Sequence, residues 1–172
     1  MQRMIGAVLV VASTGGAGFL YGAWLKEYVE TLLYLRHVIY LLKGELEYSG
    51  APLQEVFGRT AAHVKEPYRR WLKVMERRVA QRDGETFQKI WLHSIDNTLT
   101  ELHLKKIHIR QLKELGDCLG QMDHASENRE FALYLERLEL EIEKERTQIA
   151  VKGRIGNCLG VLGGMFLVIL LL

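Results

Sequence analysis

Proline is scarce in this chain: Pro52 and Pro67 are the only two in 172 residues. Helix breakers are therefore few, and no Pro-rich linker or polyproline segment divides the sequence. Cysteine is equally sparse, with Cys118 and Cys158 alone. Two cysteines do not make a disulfide framework, and a reducing compartment fits them. Charge is missing from both ends, since no Asp, Glu, Lys or Arg occurs from Met4 to Leu25 or from Ile155 to Leu172. A strand signal is absent too, because no run alternates polar and apolar residues for long enough. No glycine-rich phosphate loop follows a strand and no nucleophile motif is present, which leaves catalysis without support.

The two charge-free ends are the dominant feature. At about 1.5 Å rise per residue they reach roughly 33 Å and 27 Å as helices, close to the thickness of a bilayer's hydrocarbon core. Residues 4–25 and 155–172 are thus expected to be transmembrane helices, with 26–154 as one helical domain between them. Arg3, the apolar Ile5 to Ala12 and the small residues from Ser13 to Gly18 also have the outline of a signal peptide. The apolar character continues through Phe19, Leu20, Tyr21 and Trp24, and this favours an uncleaved anchor. Lys144, Arg146, Lys152 and Arg154 precede the second stretch, so the positive-inside rule puts the middle domain in the cytoplasm and both termini outside.

The middle carries all 21 acidic residues and every Lys and Arg but Arg3, 22 in all, for a formal charge of +1. That balance argues against bulk attraction to nucleic acid. Its apolar residues recur at helical spacing: Leu32, Leu35, Ile39, Leu42 and Leu46; then Leu53, Val56, Phe57 and Val64; then Tyr68, Trp71, Leu72, Met75 and Val79. Phe87, Ile90, Trp91 and Ile95 form a fourth stripe, and Leu104, Ile107, Leu112, Leu115 and Leu119 a fifth. The sixth runs from Phe131 through Ile149 with Gly153 as its only breaker, and is expected to continue into the second span. Pro52 and Pro67 suit helix starts, Asp83-Gly84 a turn, and Asp123 a cap. The fold expected is all-α: a compact cytoplasmic bundle of about six helices, flanked by the N- and C-terminal transmembrane helices.

Candidate sites are surfaces rather than centres of chemistry. Arg69, Arg70, Lys73 and Arg77 fall within roughly 100° of arc, opposite Trp71 and its apolar neighbours. They are either a solvated face or a surface for anionic headgroups or an acidic partner. Glu136, Glu139, Glu141, Glu143 and Glu145 crowd the last helix, where they read as a solvated rod or an acidic docking face. His37, His63, His93, His103, His108 and His124 lack zinc spacing and read as scattered surface or half-buried side chains. No cofactor or metal is expected. Gly156, Gly160 and Gly164 repeat every four residues, with Gly18 and Gly22 as the counterpart in the first span. Such ridges let membrane helices approach closely.

Three strings resemble a known family. Leu42-Lys43-Gly44-Glu45-Leu46-Glu47-Tyr48-Ser49-Gly50-Ala51-Pro52-Leu53 is similar to the end of the first cytoplasmic helix of the stage III sporulation protein AB family. Leu115-Gly116-Asp117-Cys118-Leu119-Gly120-Gln121-Met122-Asp123 resembles its paired Leu-Gly motif, and Gly156 to Gly164 with the apolar run after it resembles its terminal segment. The resemblance implies a non-enzymatic platform or scaffold subunit in a complex between mother cell and forespore. That family is similar in its cytoplasmic fold to the platform proteins of type II secretion and type IV pilus machines. By that analogy the chain would hold a cytoplasmic hexameric ATPase, the stage III sporulation protein AA, against the membrane beside other membrane subunits, with a homo-oligomer possible and no nucleic acid involved. Gly116, Gly120 and Asp123 would shape one inter-helix turn, and Glu45, Tyr48, Pro52 and Leu53 another. The alternative, from a different class, is an anionic-lipid-binding or membrane-remodelling module using the basic helix 67–82. Two departures stand out: Ala51 offers no capping oxygen before Pro52, so the turn must lean on Ser49 or water, and Val151-Lys152-Gly153-Arg154 has no aromatic near the second span.

Overall fold

A computed structural model describes residues 2–81, 84–119 and 124–171, and the side-chain surroundings of residues 24–81, 84–117, 119 and 126–149. Among them are six α-helices: α1 (Gln2–Ser49), α2 (Leu53–His63), α3 (Tyr68–Gln81), α4 (Phe87–Thr98), α5 (Lys106–Cys118) and α6 (His124–Leu171). One 3₁₀ turn, Thr100–Leu102, joins α4 to α5, and no strand occurs among the described residues. The all-α expectation holds. Two boundaries move: the first span and the first bundle helix are one element, α1, and Leu104 precedes α5 instead of belonging to it.

Each proline stands one residue ahead of its helix, not inside it. Pro52 accepts from the Val56 amide at 3.2 Å and Pro67 from the Trp71 amide at 3.1 Å, so each carbonyl closes the first helical turn. A proline costs nothing there, because the amide it lacks would have had no intrahelical partner. α4 starts on Thr86, whose hydroxyl accepts from the Lys89 amide.

The chain divides into two compact units, one of residues Met1–Glu30 with Glu141–Leu172 and the other of Thr31–Leu140. The first gathers both charge-free ends of the sequence. Among the described residues no helix is long and apolar enough to cross a membrane. Save for Trp24 and Leu25, the expected spans 4–25 and 155–172 have side chains outside the described residues.

The second unit is built around aromatic rings. Phe57 of α2, Trp71 of α3 and Trp91 of α4 are fully buried. Trp71 and Trp91 meet edge to face at 5.0 Å between centroids, and Phe57 and Phe87 flank Trp91 at 6.3 and 5.9 Å. Both indole N–H groups are satisfied, as burial demands: Trp71 donates to the Ser94 hydroxyl at 3.0 Å and Trp91 to the Leu112 carbonyl at 2.8 Å. A second cluster ties α1, α3 and α6. Tyr34 and Tyr68 pack at 5.3 Å, the Tyr68 hydroxyl donates to the Thr31 carbonyl at 3.3 Å, and Tyr134 is buried close by. The expected stripes in α1 and α3 and the start of that in α6 are buried in this unit, at Leu32, Leu35, Ile39, Leu42, Leu72, Met75, Phe131 and Leu138.

The Tyr134 hydroxyl is enclosed and has no hydrogen-bond partner among the described residues. Burial first, and the neighbouring Tyr68 second, push its ionisation far above the ordinary tyrosine value of 10.0. The unfolded tyrosine loses its proton near that value while the folded one keeps it. Above it the unfolded chain binds fewer protons than the folded one, so stability falls as pH rises. Tyr68 is shifted the same way, again mainly by burial. Tyr134→Phe is therefore expected to leave the melting temperature at pH 7 unchanged or raised, and to weaken its decline between about pH 10 and pH 11. Thermal melts of both proteins across that range test this; an unchanged alkaline slope would show that the hydroxyl is solvated after all.

Candidate functional site

The turn from α1 to α2 rests on Ser49, as the missing oxygen at Ala51 requires. The Ser49 hydroxyl donates to the Glu45 carbonyl at 2.6 Å and accepts from the Ala51 amide at 3.1 Å. Gly50 takes the left-handed conformation, φ +56°, and its amide returns to the Leu46 carbonyl at 3.2 Å. Glu45 stands 4.0 Å from Arg59 of α2. Pro52 is exposed and Leu53 half-buried as the first residue of α2. Tyr48 takes no part in these hydrogen bonds and is 95% exposed.

The four expected cations of α3, Arg69, Arg70, Lys73 and Arg77, are all exposed, but three of them bind groups of the bundle itself. Arg69 donates through Nε to the Val64 carbonyl at 3.0 Å, closing the end of α2. Arg70 reaches Glu101 at 3.2 Å and Glu66 at 3.7 Å, while its amide donates to the Glu66 carboxylate. It thereby links the start of α3 to the 3₁₀ turn. Lys73 pairs with Glu76 at 3.0 Å, and the Glu76 carboxylate lies against Gly58, where α2 has no side chain to displace it. Only Arg77 of the four lacks an ion pair or hydrogen bond among the described residues. Of the stripe of four cations seen in sequence, Arg70 and Lys73 are thus paired with carboxylates, whereas Arg69, bound to a neutral carbonyl, and Arg77 carry no ion pair among the described residues.

Gly116 is buried in α5 against the indole of Trp91, so close that an added Cβ would overlap the five-membered ring. It marks where α4 and α5 approach. Gly120 and Asp123 lie outside the described residues. Gly18 and Gly22 fall within α1, and Gly156, Gly160 and Gly164 within α6, but their surroundings are likewise outside the described residues. On α6, Glu139 pairs with Arg36 of α1, Glu141 with Lys144 at 3.4 Å and Glu143 with Arg146 at 3.6 Å. Glu136 is exposed, and Glu145 is buried with a partner of its own.

Of the histidines, His37, His63, His93 and His103 are exposed, whereas His108 is fully buried in α5. That corrects the expectation of surface or half-buried positions. A lone histidine at helical spacing with Leu112 and Leu115 lies on the apolar face, and this was the available signal. No group of three His, Cys, Asp or Glu side chains is placed to hold a metal among the described residues. An open depression lined by Val79, Phe87 and Ile90 offers, among the described residues, Arg78 and Glu85 as charged groups, and these pair with each other at 3.3 Å. What pattern reading missed is exposure on α1: Tyr40 is 65% exposed and Tyr48 still more so.

The family model described as stage III sporulation protein AB matches residues 3–172. Stage III sporulation protein AB of Bacillus subtilis (strain 168) is 27% identical over 173 residues, covering 100% of each chain. A solved structure of a stage III sporulation protein AB superimposes with a TM-score of 0.64 at 22% identity, over 72% of this chain and 97% of that one, a likeness of fold. The chain belongs to the stage III sporulation protein AB family.

Proposed function

We propose that this protein is a non-enzymatic scaffold subunit of a sporulation complex, held in the mother-cell membrane by two spans and recruiting a cytoplasmic ATPase to it. The observation that carries the reading is the partition of the chain. Both charge-free ends, 4–25 and 155–172, fall in one compact unit, and the charged helices α2 to α5 fall in the other. A charge-free stretch of that length is stable across a bilayer and poorly soluble outside one. The second unit packs Phe57, Trp71 and Trp91 into its own interior and ties Arg69, Arg70 and Lys73 of α3 to its own groups, as a rigid platform does. In this reading the domain 26–154 faces the cytoplasm, both termini lie outside, and the hexameric ATPase docks on the domain.

Recruitment is testable in cells that express the ATPase with and without the full chain. With it, the ATPase is expected to move into the membrane fraction by tenfold or more, and Arg77→Glu, which breaks no contact among the described residues, reports whether the basic face takes part. An ATPase that stays soluble in the presence of membrane-inserted chain would sink the reading. The lipid-binding alternative loses ground because three of its four cations are engaged internally. It would be revived by flotation of the chain with anionic vesicles that fades with salt through Arg77 alone.

A further inference from the structure

Over residues 33–48, beyond the exposed Lys26 and Glu30 that precede them on the same side, α1 has two faces free of Asp, Glu, Lys and Arg, and only one of them is buried. Leu32, Leu35, Ile39, Leu42 and Leu46 pack into the second unit. On the opposite side Leu33, His37, Tyr40, Leu41, Gly44 and Tyr48 fall within about 100° of arc at 100° per residue, with no Asp, Glu, Lys or Arg among them. Leu33 and Leu41 are half-buried, and His37, Tyr40, Gly44 and Tyr48 are exposed. A bundle helix that faces only water on its outer side is ordinarily charged there, as α3 is. Gly44 sharpens the anomaly. It sits inside a helix, where glycine is unfavourable, yet an added Cβ would meet nothing within 4 Å. Nothing among the described residues requires a glycine at this position. With Tyr40 one turn before it and Tyr48 one turn after, it forms a notch between two exposed rings.

We propose that this face of α1 is an interface between two copies of the chain, packed parallel about a two-fold axis with their Gly44 notches in contact. Charge on the two borders of the face selects a second copy. One border carries Lys43 paired with Glu47 at 2.8 Å, and the other carries Glu45 with Arg59 at 4.0 Å. In a parallel two-fold pair the first border of each copy lies along the second border of the other. Lys43 then reaches Glu45 of the second copy, and Glu47 reaches Arg59, twice over. An antiparallel pair would instead bring the two Glu45 side chains together. Parallel packing also follows from the two-span reading on which this inference rests, because copies inserted in one bilayer in the same orientation present α1 in the same direction. Glycine at the crossing lets the backbones approach, and the flanking tyrosines then cover each other's helix.

The test uses the full chain in membranes, with Cys118 and Cys158 replaced by serine. Gly44→Cys is expected to form a disulfide-linked dimer under mild oxidation, since Cα atoms at such a crossing lie within bridging range, while Arg77→Cys on α3 is expected to stay monomeric. Gly44→Ala supplies the second arm: the monomer should melt higher, as glycine leaves an open helical site, yet the dimer dissociation constant in detergent should rise by tenfold or more. Membrane-inserted Gly44→Cys protein that yields no cross-link, or Gly44→Ala protein that dimerises unchanged, would overturn the pairing. Insertion is read separately, by labelling the same membranes, so failure of the anchors and failure of the interface are told apart.

Discussion

Gly116→Leu is expected to destabilise the helical unit by about 3 kcal/mol or more, the upper range for overpacking a buried site. The glycine's missing Cβ is the space that the Trp91 indole occupies. Trp91 is fully buried, wedged between Trp71 at 5.0 Å and Phe87 at 5.9 Å, and its N–H is spent on the Leu112 carbonyl at 2.8 Å. It cannot swing aside without losing that bond and opening the aromatic core. For a unit of this size the loss corresponds to a fall in melting temperature of about 10 °C or more. Gly116→Ala is expected to cost less, about 1–2 kcal/mol, because helix propensity returns part of what the overlap removes. Gly44→Ala provides the contrast, with an expected gain of about 0.5–1 kcal/mol at an open site. Melting curves of the three variants in detergent check this ordering. A Gly116→Leu protein that melts with the parent would mean that α4 and α5 do not meet there.

The helices of the second unit were legible because their signals are local. Pro67 ahead of Tyr68, and Asp83-Gly84 after Gln81, bracket α3, and the spacing of Trp71, Leu72 and Met75 gives its buried face. Ser49 was readable as the support of the next turn once Ala51 was seen to lack an oxygen. The pairings that decide what a surface does were not legible. Arg70 and Glu101 are 31 positions apart, and nothing in the periodicity of α3 says that the 3₁₀ turn brings a carboxylate beside it. The same holds for Gly116, where sequence suggests a packing glycine but cannot name Trp91 as its neighbour. On α1 the buried stripe drew the reading, and the equally uncharged outer stripe went unnoticed, although the same 100° projection contains both.

This difference bears on how the platform works. A stripe of four cations suggests electrostatic capture, but surface ion pairs such as Arg70–Glu101 and Lys73–Glu76 contribute only about 0–1 kcal/mol each and mainly fix where loops and helix ends lie. A partner approaching α3 meets a face on which Arg70 and Lys73 are paired with carboxylates while Arg69 and Arg77 have no ion pair among the described residues. The uncharged outer face of α1 is a different kind of surface: its tyrosines supply rigid contact area with little conformational entropy to lose. Assembly through α1 and recruitment through the charged helices are thus physically separable, and variants at Gly44 and Arg77 address them one at a time.

Trp71→Ala is the second large effect, with an expected loss of about 3–5 kcal/mol from a unit whose total stability should be about 5–15 kcal/mol. Trp71 is a point at which α3 and α4 are tied. Its ring fills the space between α3 and α4 against Trp91, and its N–H donates to Ser94 at 3.0 Å. The Ser94 hydroxyl in turn donates a hydrogen bond to the Trp91 carbonyl at 2.7 Å, and the Thr98 hydroxyl donates to the Ser94 carbonyl at 2.6 Å. Truncation to alanine opens a cavity and leaves the Ser94 oxygen with an acceptor site unfilled in an enclosed space. Trp71→Phe separates the two contributions, since it keeps a ring against Trp91 and removes only the donor and part of the volume. It is expected to cost about 1–2 kcal/mol, clearly below the alanine effect if packing dominates. Urea titrations followed by near-ultraviolet circular dichroism, which reports the packing of the remaining indoles, measure both. Equal losses for alanine and phenylalanine would transfer the weight to the Ser94 hydrogen bond. A Trp71→Ala midpoint within the range of an exposed change such as Arg77→Ala would show that the aromatic centre is not what holds α3 to α4.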